Sequence, residues 1–142
     1  DFVLDSSERG PGLVMQIKQA LDNQKMVCIM ADRPRAGEPT VLVDFLGDQA
    51  QLPASPWIMA GVLGVPVMIG FVLYRNGSYD AFIEDFAVAV KLDRRNRMES
   101  AQTYAQCYAQ RMEHHVRNAP YNWFNFYDFW AQEKLPHDTA KN

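Results

Sequence analysis

Apolar positions change period several times along the 142-residue chain, and each change marks a predicted element. Phe2, Val3 and Leu4 read as the end of a strand, followed by a loop over residues 6–10. Leu13, Val14, Ile17, Ala20 and Leu21 then recur at helical spacing behind Pro11, whose missing N–H suits a first helical turn. Asn23 is placed to stop that helix in a left-handed conformation. Residues 26–30, Met-Val-Cys-Ile-Met, form a short unbroken apolar run, the pattern of a strand buried on both faces. A polar loop rich in turn formers covers residues 31–39. Residues 40–46 are rich in β-formers, Gly47-Asp48 is a two-residue hairpin signal, and residues 49–52 return. Ser55 and Pro56 have the order of an N-cap and first helical residue, opening a short helix over residues 57–63 with Gly64 just beyond its end. Residues 65–74 predict a second apolar strand, and Asn76-Gly77 turns it into an antiparallel neighbour over residues 79–86. Asn96 and Glu99 have the spacing of a capping box. The helix they open carries Met98, Ala101, Tyr104, Ala105, Tyr108, Met112 and Val116 on one face, and Pro120 ends it.

This order predicts an α/β fold: a mixed β-sheet flanked by helices, with residues 1–130 forming one domain and residues 131–142 a polar tail. Four or five strands with one or two open edges would be incomplete alone, so an upstream partner is expected. The abrupt start at Asp1, without an initiator Met, agrees with missing upstream sequence. The apolar fraction of 48% and charged fraction of 22% exclude a disordered or low-complexity chain. A formal charge of −3 supplies no global basic field, so nucleic acid is not an expected partner. Cys28 and Cys107 make neither a disulfide framework nor a metal set. Residues 56–74 are apolar but broken by Gly61, Gly64, Pro66 and Gly70, which reads as helix then strand rather than a membrane span.

Ligands of open α/β sheets gather beyond the carboxyl ends of strands, where the loop over residues 31–39 lies. Asp32 can accept hydrogen bonds, and Arg33 and Arg35 can pair with carboxylate or phosphate. The plainer reading is an Asp that caps a turn beside two solvated arginines. His114 and His115 are adjacent on a predicted helix and point about 100° apart, so they cannot share one metal. They read as one core-facing and one solvated ring, and His137 falls in the tail. No acid–base pair, metal set or cofactor motif stands out, so no catalytic residue, metal or cofactor is assigned. Tyr121, Trp123, Phe124, Phe126, Tyr127, Phe129 and Trp130 crowd one segment. They pack beneath the sheet, or some of them lie at a membrane interface, and part of the set is expected to be exposed and prone to self-association.

Four blocks in sequence order resemble the bacterial lipid A biosynthesis acyltransferase family, the lauroyl/myristoyl transferase group. They are the run from Met26 through Asp32-Arg33-Pro34, then Val41-Leu42-Val43-Asp44-Phe45-Leu46-Gly47. Leu52-Pro53 through Trp57 with Gly64-Val65-Pro66-Val67 follows, and Tyr121-Asn122-Trp123-Phe124 through Phe129-Trp130 closes the set. The resemblance implies transfer of a fatty acyl group from an acyl thioester, on acyl carrier protein or CoA, to a hydroxyl of a lipid or glycolipid. It implies a histidine followed by an acid at the fifth position beyond it. Here that fifth position is Ala119 for His114, Pro120 for His115 and Asn142 for His137. The motif would therefore lie upstream, and the chain alone is expected to be inactive, soluble and possessed of no membrane anchor of its own. The full-length protein is expected at the cytoplasmic face of a bacterial inner membrane, with Asp32, Arg33 and Arg35 binding substrate and Tyr121, Trp123, Phe124 and Trp130 touching the membrane surface. The alternative is a non-catalytic lipid- or protein-binding module derived from that family.

Overall fold

A computed structural model describes residues 11–130. The strand end expected at residues 2–4, the loop at 6–10 and the polar tail with His137 lie outside the described residues. The elements are α1 (Pro11–Asp22), β1 (Thr40–Phe45), β2 (Asp48–Pro53), α2 (Ser55–Leu63), β3 (Val67–Arg75), β4 (Ser78–Ala87) and α3 (Arg97–Asn118), closed by a 3₁₀ turn at Pro120–Asn122. The α/β class stands. Within it, the strands form two separate antiparallel hairpins, β1–β2 and β3–β4, rather than one mixed sheet.

The missing link is the strand expected at residues 26–30. That segment is irregular, and Met26 and Met30 are 81% and 66% exposed. Among the described residues no strand lies alongside it, and a five-residue run cannot hold a strand conformation without a neighbour to take its backbone hydrogen bonds. Smaller boundaries shift for local reasons. The first hairpin turns at Leu46 and Gly47, with φ of 55° and 95°, one position earlier than expected. The second turns at Asn76 and Gly77, as the sequence indicates. Strand β3 starts at Val67 because Pro66 has no N–H to give a ladder. Helix α1 stops with Gln24, not Asn23, in the left-handed region. Neither Ser55 nor Asn96 makes a side-chain cap. The start of α3 is tied instead by Ser100 Oγ, which accepts the Asp93 N–H at 2.9 Å and donates to the Asn96 carbonyl at 3.1 Å.

Helix α3 organises the rest. Ala101, Ala105 and Ala109, spaced four apart, are fully buried and let the helix approach β1 closely. Val41, Val43 and Phe45 from β1, Ala50 and Leu52 from β2, Trp57 from α2 and Met112 and Val116 from α3 complete the core with Phe129. Rings the size of Phe45 and Trp57 contribute roughly 1.5–3 kcal/mol each when buried. The close approach also brings a polar row on α3 to the open edge of β1. Gln102 Nε2 donates to the Leu42 carbonyl at 2.9 Å. Gln106 accepts the Asp44 N–H at 2.8 Å and donates to the Asp44 carbonyl at 3.0 Å. Glu113 Oε2 accepts the Leu46 N–H at 2.9 Å. Side chains thus occupy the backbone groups a further strand would otherwise use.

The β3–β4 hairpin lays Phe71, Phe82, Glu84 and Phe86 on one face, toward Tyr104, Tyr108 and His115 of α3. Its other face carries exposed Met68, Val72, Tyr74, Tyr79 and Ile83. Among the closing aromatics, Trp123 and Phe129 pack on Phe45 at 5.3 and 5.4 Å between ring centres. Trp130 donates its indole N–H to the Phe45 carbonyl at 3.4 Å. Trp123 therefore serves the core, Tyr121, Phe124 and Phe126 are the rings most open to solvent, and Tyr127 and Trp130 are exposed in part.

Candidate functional site

Two groups of chemically capable side chains are built on this frame, and they meet α3 about two turns apart. The first is the loop expected from the sequence. Ala31 packs against the core, which anchors the loop and leaves Asp32 half-buried. Asp32 Oδ2 accepts two hydrogen bonds from the adjacent Arg33, from Nη2 at 2.8 Å and Nε at 3.2 Å. The hydrogen bond and charge of Asp32 hold the Arg33 guanidinium still more firmly in its protonated form. Arg35 belongs to a neighbouring turn. Its N–H donates to Glu38 Oε2 and its carbonyl accepts the Glu38 N–H, both at 3.0 Å, and Gly37 takes a φ of 73° to close it. Of the three residues expected together, two form one ion pair and the third has its backbone committed to the next turn.

The sequence gives no hint that two tyrosines from distant elements complete this loop. Tyr108 of α3 and Tyr127 of the closing segment both lie within the electrostatic reach of Asp32 and Arg33. Burial pushes the Tyr108 hydroxyl well above the ordinary phenol range, with Asp32 adding to the shift and Arg33 opposing it. Tyr127 is raised in the same way, chiefly by burial. Both phenols therefore keep their protons at neutral pH, within the electrostatic influence of a carboxylate–guanidinium pair. Such a set can orient a polar head group and present one cation to it. It contains no histidine, and its one carboxylate, Asp32, is engaged by Arg33.

The second group lies farther along α3. His115 is buried and His114 is exposed, as expected for adjacent helical positions. His115 Nε2 is 3.3 Å from Glu84 Oε1, and its ring lies 4.4 Å from that of Phe71 and 5.0 Å from that of Phe82. This acid–imidazole pair spans β4 and α3, and the sequence reading missed it. One signal was available. Strand alternation sets Glu84 between Phe82 and Phe86 on the inward face, where a carboxylate needs a partner. Together with Arg75, Arg111 and Asn118 these residues line an open groove of about 530 Å³.

Phe71 joins the two groups, lying 5.9 Å from Tyr108 on one side and 4.4 Å from His115 on the other. Among the described residues no three His, Cys, Asp or Glu side chains gather as a metal set. Cys28 and Cys107 are exposed free thiols. No described helix is long and apolar enough to cross a membrane.

Among curated proteins, none matches the chain. A family profile described as bacterial lipid A biosynthesis acyltransferase matches residues 4–132, a span that takes in the Asp32–Arg33 loop, both hairpins, α3 and the closing aromatics. The match covers most of the chain, and the blocks that carry the sequence resemblance all fall inside it: the chain belongs to the bacterial lipid A biosynthesis acyltransferase family.

Proposed function

We propose that residues 1–130 act as the distal part of one acyltransferase domain that moves a fatty acyl group from an acyl thioester to a hydroxyl of a lipid or glycolipid. In that reaction the acceptor oxygen attacks the thioester carbonyl and loses its proton to a base. The carbon–sulfur bond then breaks and the carrier thiol leaves, on acyl carrier protein or CoA. The base is a histidine followed by an acid at the fifth position beyond it, supplied by sequence outside these residues. None of His114, His115 and His137 has that spacing, so the 142-residue chain by itself should give no turnover.

The observation that carries the reading for this chain is the Asp32–Arg33 ion pair in the loop that bears the family's Asp-Arg-Pro block, with Tyr108 and Tyr127 within its electrostatic reach. Arg33 and Arg35 hold a phosphate of the acceptor or the acyl carrier, and Asp32 fixes the Arg33 guanidinium and with it the loop. The exposed run at residues 26–30 packs against backbone from the upstream part of the same domain. Of the rings expected at the membrane surface, Tyr121, Phe124 and Trp130 are exposed and rest at the headgroup level of the cytoplasmic face of a bacterial inner membrane, where Trp and Tyr are favoured, while Trp123 is given to the core.

In the full-length protein Arg33→Ala is expected to lower kcat/KM roughly tenfold or more while Tm stays within about 1 °C, because a charge-assisted contact to substrate is lost without opening the core. Lost stability with catalysis intact would refute the assignment. A second reading, a non-catalytic lipid-binding module, draws on the absent histidine spacing. It would be favoured by a full-length protein that binds acyl lipid yet turns over no acyl thioester.

A further inference from the structure

The groove between α3 and the inner face of β3–β4 is lined by two arginines, Arg75 and Arg111, and, among the described residues, by one carboxylate, Glu84; His114 stands beside them. Glu84 is already engaged by His115 at 3.3 Å, and its second oxygen lies 3.8 Å from Arg111 Nε. A separation of 3.8 Å is an ion pair but too long for a hydrogen bond, so the Arg111 donors are not spent on Glu84.

Arg75 is less satisfied still. Among the described residues no carboxylate lies within ion-pair distance of it. Its guanidinium carbon sits 5.5 Å from the centre of the Phe82 ring, a cation–π contact that holds the planar group in place. Its Nε is buried and has no hydrogen-bond partner among the described residues. With Nε enclosed, an anion in the groove would meet the other guanidinium nitrogens of Arg75, as it would those of Arg111. His114 is steadied by Asn118, whose amide nitrogen lies 3.1 Å from its Nε2.

We propose that this groove binds the phosphate of a phosphate ester. Arg75 and Arg111 serve as planar, forked donors matched to phosphate oxygens, and His114 supplies a third contact. Glu84 keeps His115 and Arg111 in position and limits the repulsion among the cations. The volume of about 530 Å³ lies in the range of roughly 300–1,000 Å³ found for small-molecule clefts. A phosphate alone does not fill it, which leaves the wall at Phe82 for the organic part of the ester. The site uses none of the residues assigned to acyl transfer, so the two proposals stand or fall separately.

The test is titration of the purified protein with inorganic phosphate at fixed ionic strength, followed by calorimetry and by the imidazole resonances of His114. Saturable binding is expected, weakened roughly tenfold or more in Arg75→Gln and in Arg111→Gln. It should be unchanged in Arg94→Gln, which removes an exposed arginine from a different surface. Arg111 is largely exposed on α3, so its variant folds even if Arg75→Gln disturbs the hairpin. A second arm measures binding to phosphatidylcholine vesicles with and without phosphatidic acid. Phosphatidic-acid binding that requires both arginines identifies a lipid headgroup as the source of the phosphate. Phosphate binding without vesicle binding identifies a soluble ester. Absence of any phosphate response, or a response equal in wild type, Arg75→Gln and Arg111→Gln, would overturn the proposal, whatever the vesicles show.

Discussion

Replacing Gln106 tests whether α3 holds the open edge of β1 by hydrogen bonds or by apolar contact alone. The Gln106 amide accepts the Asp44 N–H at 2.8 Å and returns its own N–H to the Asp44 carbonyl at 3.0 Å. Each such bond is worth about 0.5–1.5 kcal/mol net. Asp44 is exposed, so water can replace both partners and the lower half of that range applies. Alanine also recovers a few tenths of a kcal/mol of helix propensity. Gln106→Ala should therefore cost about 1 kcal/mol. Gln106→Glu distinguishes the mechanism. Its carboxylate can still accept the Asp44 N–H but sets a second acceptor against the Asp44 carbonyl, so it should cost more at neutral pH and recover once protonated. Equilibrium unfolding in urea, followed by the fluorescence of Trp57 and Trp123, measures both with an unchanged m-value. If Gln106→Ala and Gln106→Glu both unfold within about 0.3 kcal/mol of wild type at neutral pH, the edge is held by the alanine stripe and the polar row is incidental.

Glu113 gives a pH signature. Acceptance of the Leu46 N–H, reinforced by Arg117, holds its carboxyl below the ordinary glutamate range. The stabilisation is therefore complete above the unfolded-state pKa of about 4.3 and fades as pH falls through and below that value. Glu113→Gln should flatten the acid limb of a stability–pH curve below about pH 5, and an unchanged limb would remove Glu113 as its source. Trp123→Ala, which vacates the space beside Phe45, should lower stability by about 3–5 kcal/mol. Trp130→Ala, more exposed and held by one long hydrogen bond, should cost about 1 kcal/mol, and thermal melts that reverse this order would show that Trp130 is the core residue.

What the sequence made legible is the set of elements whose cause is local. The period of the apolar residues on α3, the Asn76-Gly77 turn and the left-handed Gly64 each follow from a few consecutive residues, and each appears where expected, except that Met98 at the start of the α3 stripe is exposed. Residues 26–30 fail for the opposite reason. An unbroken apolar run specifies burial but not what does the burying, and no neighbouring strand lies beside it among the described residues. The closing aromatics show the same limit. Composition announced that some rings would pack and others face solvent, but only the position of Phe45 decides that Trp123 and Phe129 go inward while Tyr121 and Phe126 do not.

The candidate site divides along the same line. Asp32 and Arg33 were readable because they are neighbours in sequence, although the strand expected to end just before them is absent from the structure. Tyr108 and Tyr127, which set the character of that loop, come from a helix and a terminal segment whose approach depends on the alanine stripe of α3. Glu84 and His115 are separated by 31 positions and become a pair only when strand alternation and helical repeat meet across Phe71 and Phe82. Phe71 lies between the loop and the groove that we propose as binding sites, against Tyr108 on one side and His115 on the other. Helix α3 closes the β1 edge with one row of side chains and carries Tyr108 and His115 on another, so both proposed sites rest on the same packing of α3 against the hairpins.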